Sequence, residues 1–199
     1  MQYLKPSKEI YTSYEDIPKR TNLFSLYHID VPLEFLENVL DGYLKDYDLD
    51  INPDFQRGRV WTRDQSILYL EYLLSGGFSH RQILFNCPSF TSGEGSGMVL
   101  VDGLQRLSSI LDFLNNKIPV YGTLCDNFLD KDRMLRGLGV EFYVAEYKGK
   151  EDVLRWYLEI NSGGTPHTKD EIKKVEDLLD ECFGENHTFD GSSLSSVRL

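Results

Sequence analysis

Met98-Val99-Leu100-Val101-Asp102-Gly103-Leu104-Gln105-Arg106-Leu107 joins two periodicities in one stretch. Up to Val101 the residues form a short apolar run of the kind that makes a buried strand. From Leu104 onward the apolar positions Leu104, Leu107, Ile110, Leu111 and Leu114 recur at helical spacing. Asp102-Gly103 is the tight turn between them. A strand that runs through Asp-Gly into a helix aims backbone N–H groups and the positive end of the helix dipole at one spot, which makes a ready anion site.

Outward from this stretch, Gln82-Ile83-Leu84-Phe85 is a second short strand. The Ser/Gly-rich segment Ser89 to Gly97 between the two strands reads as a long hairpin connection, because no Lys-Ser/Thr follows its glycines as in a P-loop. Thr62-Arg63-Asp64-Gln65 has the form of a capping box and opens a helix that carries Ile67, Leu68, Leu70, Leu73 and Leu74 and stops at Gly76-Gly77. Gln56, Arg57 and Arg59 fall in the loop just before it. Further upstream, Asp30-Val31-Pro32 predicts a helix cap with proline in the first turn, followed by an apolar face of Val31, Phe35, Leu36, Val39, Leu40, Tyr43 and Leu44. Leu49 to Pro53 predicts an edge strand or an extended lead-in. Downstream, Val140, Phe142 and Val144 alternate with Glu141, Tyr143 and Ala145 as a half-buried strand does, and Glu151 to Ile160 is helical up to Asn161-Ser162-Gly163-Gly164. Thr168-Lys169-Asp170-Glu171 is a further capping box that starts the last helix. Residues 1–22 read as a polar arm, 23–183 as one domain, and 184–199 as a flexible tail without period.

A length of 199 residues suits one domain. No stretch approaches the roughly 18 consecutive apolar residues of a membrane span. The N-terminus lacks the apolar run of a secretory signal, so the expected location is the cytoplasm. Cys87, Cys125 and Cys182 are scattered, without C-x-x-C or metal-ligand spacing, and read as reduced thiols. The net charge of −11 and pI of about 4.8 exclude the broad basic surface of a non-specific DNA binder, leaving only local contact with DNA. Positive charge is nonetheless concentrated at Arg57, Arg59 and Arg63, and again at Arg106.

Arginine offers a flat fork of donors that matches phosphate oxygens and keeps its charge at any working pH. One reading has Arg106 grip a phosphate, Gly103 let the backbone approach it, Asp102 hold a divalent cation or orient the arginine, and Gln105 orient a water or a phosphate oxygen. The other has Asp102 cap the helix and pair with Arg106, four positions on. In Gln56-Arg57-Gly58-Arg59-Val60-Trp61, Arg57 can add charge to the same anion, while Trp61 either anchors the loop in the core or stacks on a base. Asn161 stands at a helix exit that would wall such a site. No G-x-S-x-G elbow, H-E-x-x-H helix or HNH-like cluster is present. Glu146-Tyr147-Lys148 has the form of half a metal-dependent nuclease site, a triplet common by chance.

In order and spacing, Ile51-Asn52-Pro53-Asp54-Phe55-Gln56-Arg57 with Trp61, Val101 to Leu107, and Ile160 to Pro166 resemble the DGQQR-motif family, the N-terminal domain of GmrSD-type restriction systems. The resemblance implies a mixed α/β (α+β) fold of the ParB/sulfiredoxin kind, a small mixed sheet flanked by helices. It also implies a nucleoside triphosphate site using Gln56, Arg57, Asp102, Gly103, Gln105 and Arg106. Family members bind and in some cases hydrolyse the triphosphate, often to license a nuclease in phage defence. Mg²⁺ on Asp102 and a separate HNH nuclease or DNA-modification partner are the matching expectations, with no DNA cleavage by this chain itself. Leu104 departs from the glutamine usual in the motif. No cysteine lies within Val101 to Leu107, so the sulfinic-acid reduction of sulfiredoxins is not expected. Two further readings stay open, a non-catalytic interaction module and a phosphotransferase acting on a small molecule or nucleotide.

Overall fold

The computed structural model describes residues 27–161 and 169–183, with the single positions 10 and 12. The rest of the polar arm, the glycine-rich helix exit from Ser162, the Thr168 capping box and the tail 184–199 lie outside the described residues. The chain runs β1 (Tyr27–Pro32), α1 (Leu36–Tyr47), α2 (Arg63–Leu74), β2 (Gln82–Asn86), β3 (Val99–Asp102), α3 (Leu104–Leu114), α4 (Lys131–Gly137), β4 (Gly139–Ala145), α5 (Lys150–Asn161) and α6 (Lys169–Phe183). Short 3-10 turns lie at Leu33–Phe35, Phe90–Ser92 and Cys125–Asn127.

The four strands form one mixed sheet in the order β1-β4-β2-β3. Strand β4 pairs antiparallel with β1, Val140 facing Val31, and parallel with β2, Tyr143 facing Leu84. Strands β2 and β3 are the antiparallel arms of the predicted long hairpin, with a register shift after Leu84. The parallel β2–β4 pair requires a crossover, and the chain from β3 through α3 and α4 supplies it. This is the α/β class expected from the sequence.

Period-2 alternation divides the core between the two faces of the sheet. Ile83, Phe85, Leu100 and Phe142 face one side and pack with Leu36 and Leu40 of α1, Leu70 and Leu73 of α2, and Leu107 and Ile110 of α3. Val101 and Ala145 face the other, where Phe55, Leu154, Trp156 and Tyr157 meet Val175 and Leu179 of α6. Each fully buried side chain of this size contributes roughly 1.5–3 kcal/mol, so the two clusters hold the sheet between helical layers.

Asp30-Val31-Pro32 is not a helix cap. It is the end of β1, with Val31 opposite Val140 and 1% exposed. A proline with its fixed φ suits the close of an edge strand as well as a first helical turn, and pairing with β4 decides the matter. The helix begins after the 3-10 turn, and it buries Leu36, Leu40 and Tyr43 while Phe35 and Leu44 stay exposed. Leu49 to Pro53 makes only a single-residue bridge, Asp50 beside Val99. The Thr62 capping box forms in full: Gln65 N donates to Thr62 Oγ1 and Thr62 N donates to Gln65 Oε1.

Two glycines test this architecture in opposite directions. A Cβ on Gly139 would lie 2.8 Å from the Val31 carbonyl oxygen, whereas one on Gly42 inside α1 meets nothing within 4 Å. Gly139→Ala should therefore push β1 off β4 and cost about 1–3 kcal/mol, and Gly42→Ala should gain about 0.5–1 kcal/mol, both read by equilibrium urea unfolding. Equal effects of the two substitutions would contradict the β1–β4 register.

Candidate functional site

The turn from β3 into α3 is made at Gly103 with φ +105°, in the left-handed region that only glycine enters without strain. A Cβ there would also lie 2.7 Å from Ile83 Cδ1, so the end of β3 sits hard against β2. No side chain caps α3. Its first backbone N–H groups are left without a side-chain acceptor, in contrast to the capping box of α2.

Asp102 therefore does not cap the helix; it pairs with Arg106, the ion pair anticipated in the second reading of the sequence. The Arg106 side chain is 16% exposed, and its Nη2 also donates to Gln82 O at 2.9 Å. Its Nε is buried with no hydrogen-bond partner. An unmatched buried donor is costly, and this one belongs to a charged fork at the uncapped end of a helix. Nearby, burial pushes the Tyr69 hydroxyl up to about 12 against the pull of Arg106 and Arg81, so it stays protonated and donates to His80 O.

Two glutamines lace the loop before α2 to this corner. Gln56 Nε2 donates to Leu100 O and Val101 O at 3.0 and 2.9 Å, so its amide covers the edge of β3. Gln105 Oε1 accepts from Val60 N and Trp61 N at 2.9 and 3.0 Å, and its Nε2 donates to Gly58 O. Arg57, half-buried, lies between these two anchored points. Trp61 packs on the main core and contacts the Tyr69 ring at 5.5 Å, as the core-anchor reading expected. Leu104, where the sequence departs from the resembled motif, is buried in that core, so the position serves packing.

Asn161 ends α5, and its Nδ2 donates to Tyr157 O of its own helix. Among the described residues its side chain makes no hydrogen bond to the corner. Glu146 accepts from the backbone and hydroxyl of Thr91, which explains it as the brace of the Phe90–Ser92 turn. Burial pushes the Cys87 thiol up to about 11, assisted by Glu146, and raises that of Cys125.

Asp112 was not legible as a site residue. It receives Arg59 and Lys117 together, and Arg59 also donates to Ser108 O. Burial works against the charge of Asp112, but the hydrogen bonds and charges of its two cations hold its carboxyl below the usual range. No sequence signal could have joined Asp112 to Arg59 across so many residues. Among the described residues no group of three or more His, Cys, Asp or Glu gathers as a metal cage, and no helix is long and apolar enough to cross a membrane.

A three-layer α/β domain with an uncapped strand-to-helix corner, a buried arginine and a glutamine-laced loop defines the class of the protein. The family model of the GmrSD restriction endonuclease, N-terminal domain, matches residues 36–136, from the start of α1 to α4 and across the whole corner. The chain belongs to this family, which sets it in the context of phage-defence restriction systems. No curated protein and no solved structure matches it.

Gln105→Ala removes three hydrogen bonds that hold the loop, and should cost about 1–3 kcal/mol. Amide hydrogen exchange at Val60 and Trp61 should speed up while the strands stay protected; unchanged exchange at both amides would show that the clamp does not hold the loop.

Proposed function

We propose that the chain binds a nucleoside triphosphate at the β3–α3 corner and hydrolyses or transfers its terminal phosphate in the service of restriction. The observation that carries this reading is the pairing of an uncapped helix N-terminus with Arg106, whose buried Nε lacks an acceptor. A phosphate oxygen supplies what both groups are missing, and a negative charge there is favoured by the helix dipole. Arg57 adds a second guanidinium from the laced loop. Gln56 serves by anchoring that loop, Gly103 by opening the turn, and Asn161, at the end of α5, as a wall residue.

Mg²⁺ fits this donor set, since it is usually bound through one or two carboxylates plus the phosphates it neutralises, and Asp102 provides one such carboxylate. When bound it would neutralise charge on the phosphates. Asp102 then has two partners to balance, the ion and Arg106. An HNH nuclease or a DNA-modification protein acting beside the domain would complete the restriction role, with any DNA contact of this acidic chain kept local. This reading takes the mixed α/β sheet to be of the ParB/sulfiredoxin-like kind, with the nucleotide at this corner.

One observation favours a second reading, a regulatory or anti-defence module that keeps the fold without turnover. Asp102 and Gln105 are already engaged within the protein, by Arg106 and by the Gly58–Trp61 backbone. Gln105 has both ends of its amide taken, so it is not free to orient a water.

Titration with the four ribonucleoside triphosphates and their deoxy forms, with Mg²⁺, should give saturable binding by at least one of them. Arg106→Ala should weaken it about tenfold or more, as expected for a charge-assisted bond. Release of inorganic phosphate marks hydrolysis, a phosphorylated acceptor marks transfer, and binding without either marks the regulatory module. Failure of every nucleotide to bind removes the reading.

A further inference from the structure

In a chain of net charge −11, three cationic side chains from separate segments line one cavity of about 340 Å³: Arg59 before α2, Arg63 at its first residue, and Lys117 after α3. Asp112 is the one carboxylate in the same wall, and Arg59 and Lys117 already share it. Arg63 has no hydrogen bond or ion pair among the described residues. It also sits where the dipole of α2 disfavours a cation, since the first turn of a helix prefers acidic side chains. Three positive charges against one negative leave a local surplus that the fold does not use. Such a departure from local preference, gathered around a hollow, is what a ligand site produces.

The remaining walls limit the ligand. Trp61 and Ile118 give an apolar side to the cavity, opposite in character to its cationic side. Its volume lies at the small end of the range for organic ligands, enough for a phosphate with one sugar and one base and too small for a polymer. The geometry points to a second anion site, separate from the Arg106 corner: we propose that this cavity takes a phosphomonoester of mononucleotide size. Arg59, Arg63 and Lys117 hold the phosphate, and Trp61 and Ile118 receive the body. The shared element is Gln105, which lines the cavity and also begins the corner helix.

The test uses the full chain labelled with ¹⁵N and follows the indole N–H signals of its two tryptophans, Trp61 and Trp156. A nucleoside 5′-monophosphate should shift the Trp61 signal saturably and leave that of Trp156, buried among α5 and α6, in place. The parent nucleoside should bind about tenfold more weakly or less, because it lacks the charge. Arg63→Ala and Lys117→Ala should each weaken the monophosphate about tenfold. Arg63 is exposed and, among the described residues, its side chain is unpaired, so its removal does not threaten the fold, and Arg63→Gln should behave as Arg63→Ala does. Arg106→Ala should leave this titration within about twofold. No Trp61 shift, wild-type binding by the Arg63 and Lys117 variants, or loss on Arg106→Ala alone would each overturn the proposal. The last result would put the ligand at the corner, so failure here is distinct from failure of triphosphate binding.

Discussion

Gly103 is the point on which the rest of the molecule turns. Ile83 leaves no space for a Cβ there, and φ of +105° sends the chain from the last residue of β3 directly into α3. A helix that begins in this way has glycine at its N-cap, with no side-chain oxygen to accept from the first turn. Asp102, the residue before it, is turned toward Arg106 instead, and the first N–H groups of α3 are left without a side-chain cap. The polar arrangement at the corner is therefore a consequence of how closely β3 must lie on β2, and the apolar face of α3 fixes that approach by inserting Leu107 and Ile110 into the core.

What the sequence reveals of this fold is whatever is periodic or locally signalled. The alternation in β4, the helical spacing after Leu104 and the Thr62–Gln65 box each lie within one turn or one strand, and each forms. Tyr27 to Pro32 carries a usable alternation too, but Asp-x-Pro mimics a helix start, and only the partner strand more than a hundred residues away decides between the two. Helix α4 has too few turns for an apolar stripe to register. At the corner the strand-turn-helix unit is legible and the partnerships are not: the bonds of Gln105 to Gly58, Val60 and Trp61, which clamp the loop, are contained in no spacing rule. Asp112 was missed for the same reason.

Electrostatics constrain function as firmly as geometry does. An excess of acidic groups keeps nucleic acid from lying along the surface, since displacing counterions from a phosphate backbone requires many cations in a row. Anions can be recognised by such a chain only where the local field is reversed and water is partly excluded. Arg106 meets that condition by burial beside an uncapped helix, and the Arg59–Arg63–Lys117 cavity meets it by accumulation around one carboxylate. For a member of a restriction endonuclease N-terminal-domain family, the net charge argues that any contact of this chain with long DNA is local.

The two glutamines fix the loop that lies between these places. Gln56 ties the loop to the edge of β3, and Gln105 ties it to the first turn of α3, so Arg57 is held from both sides and Arg59 and Trp61 follow from the second anchor. Ordering a loop costs conformational entropy, and here folding has already met that cost through bonds between side-chain amides and backbone. An arginine so held loses little freedom when it meets an anion, which is the physical content of preorganisation. The anchor is specific to Gln105, whose amide makes the hydrogen bonds from the first turn of α3 to that loop. Gln105 itself holds Gly58, Val60 and Trp61, so its removal, unlike that of Arg106, frees the loop that carries the apolar wall of the cavity.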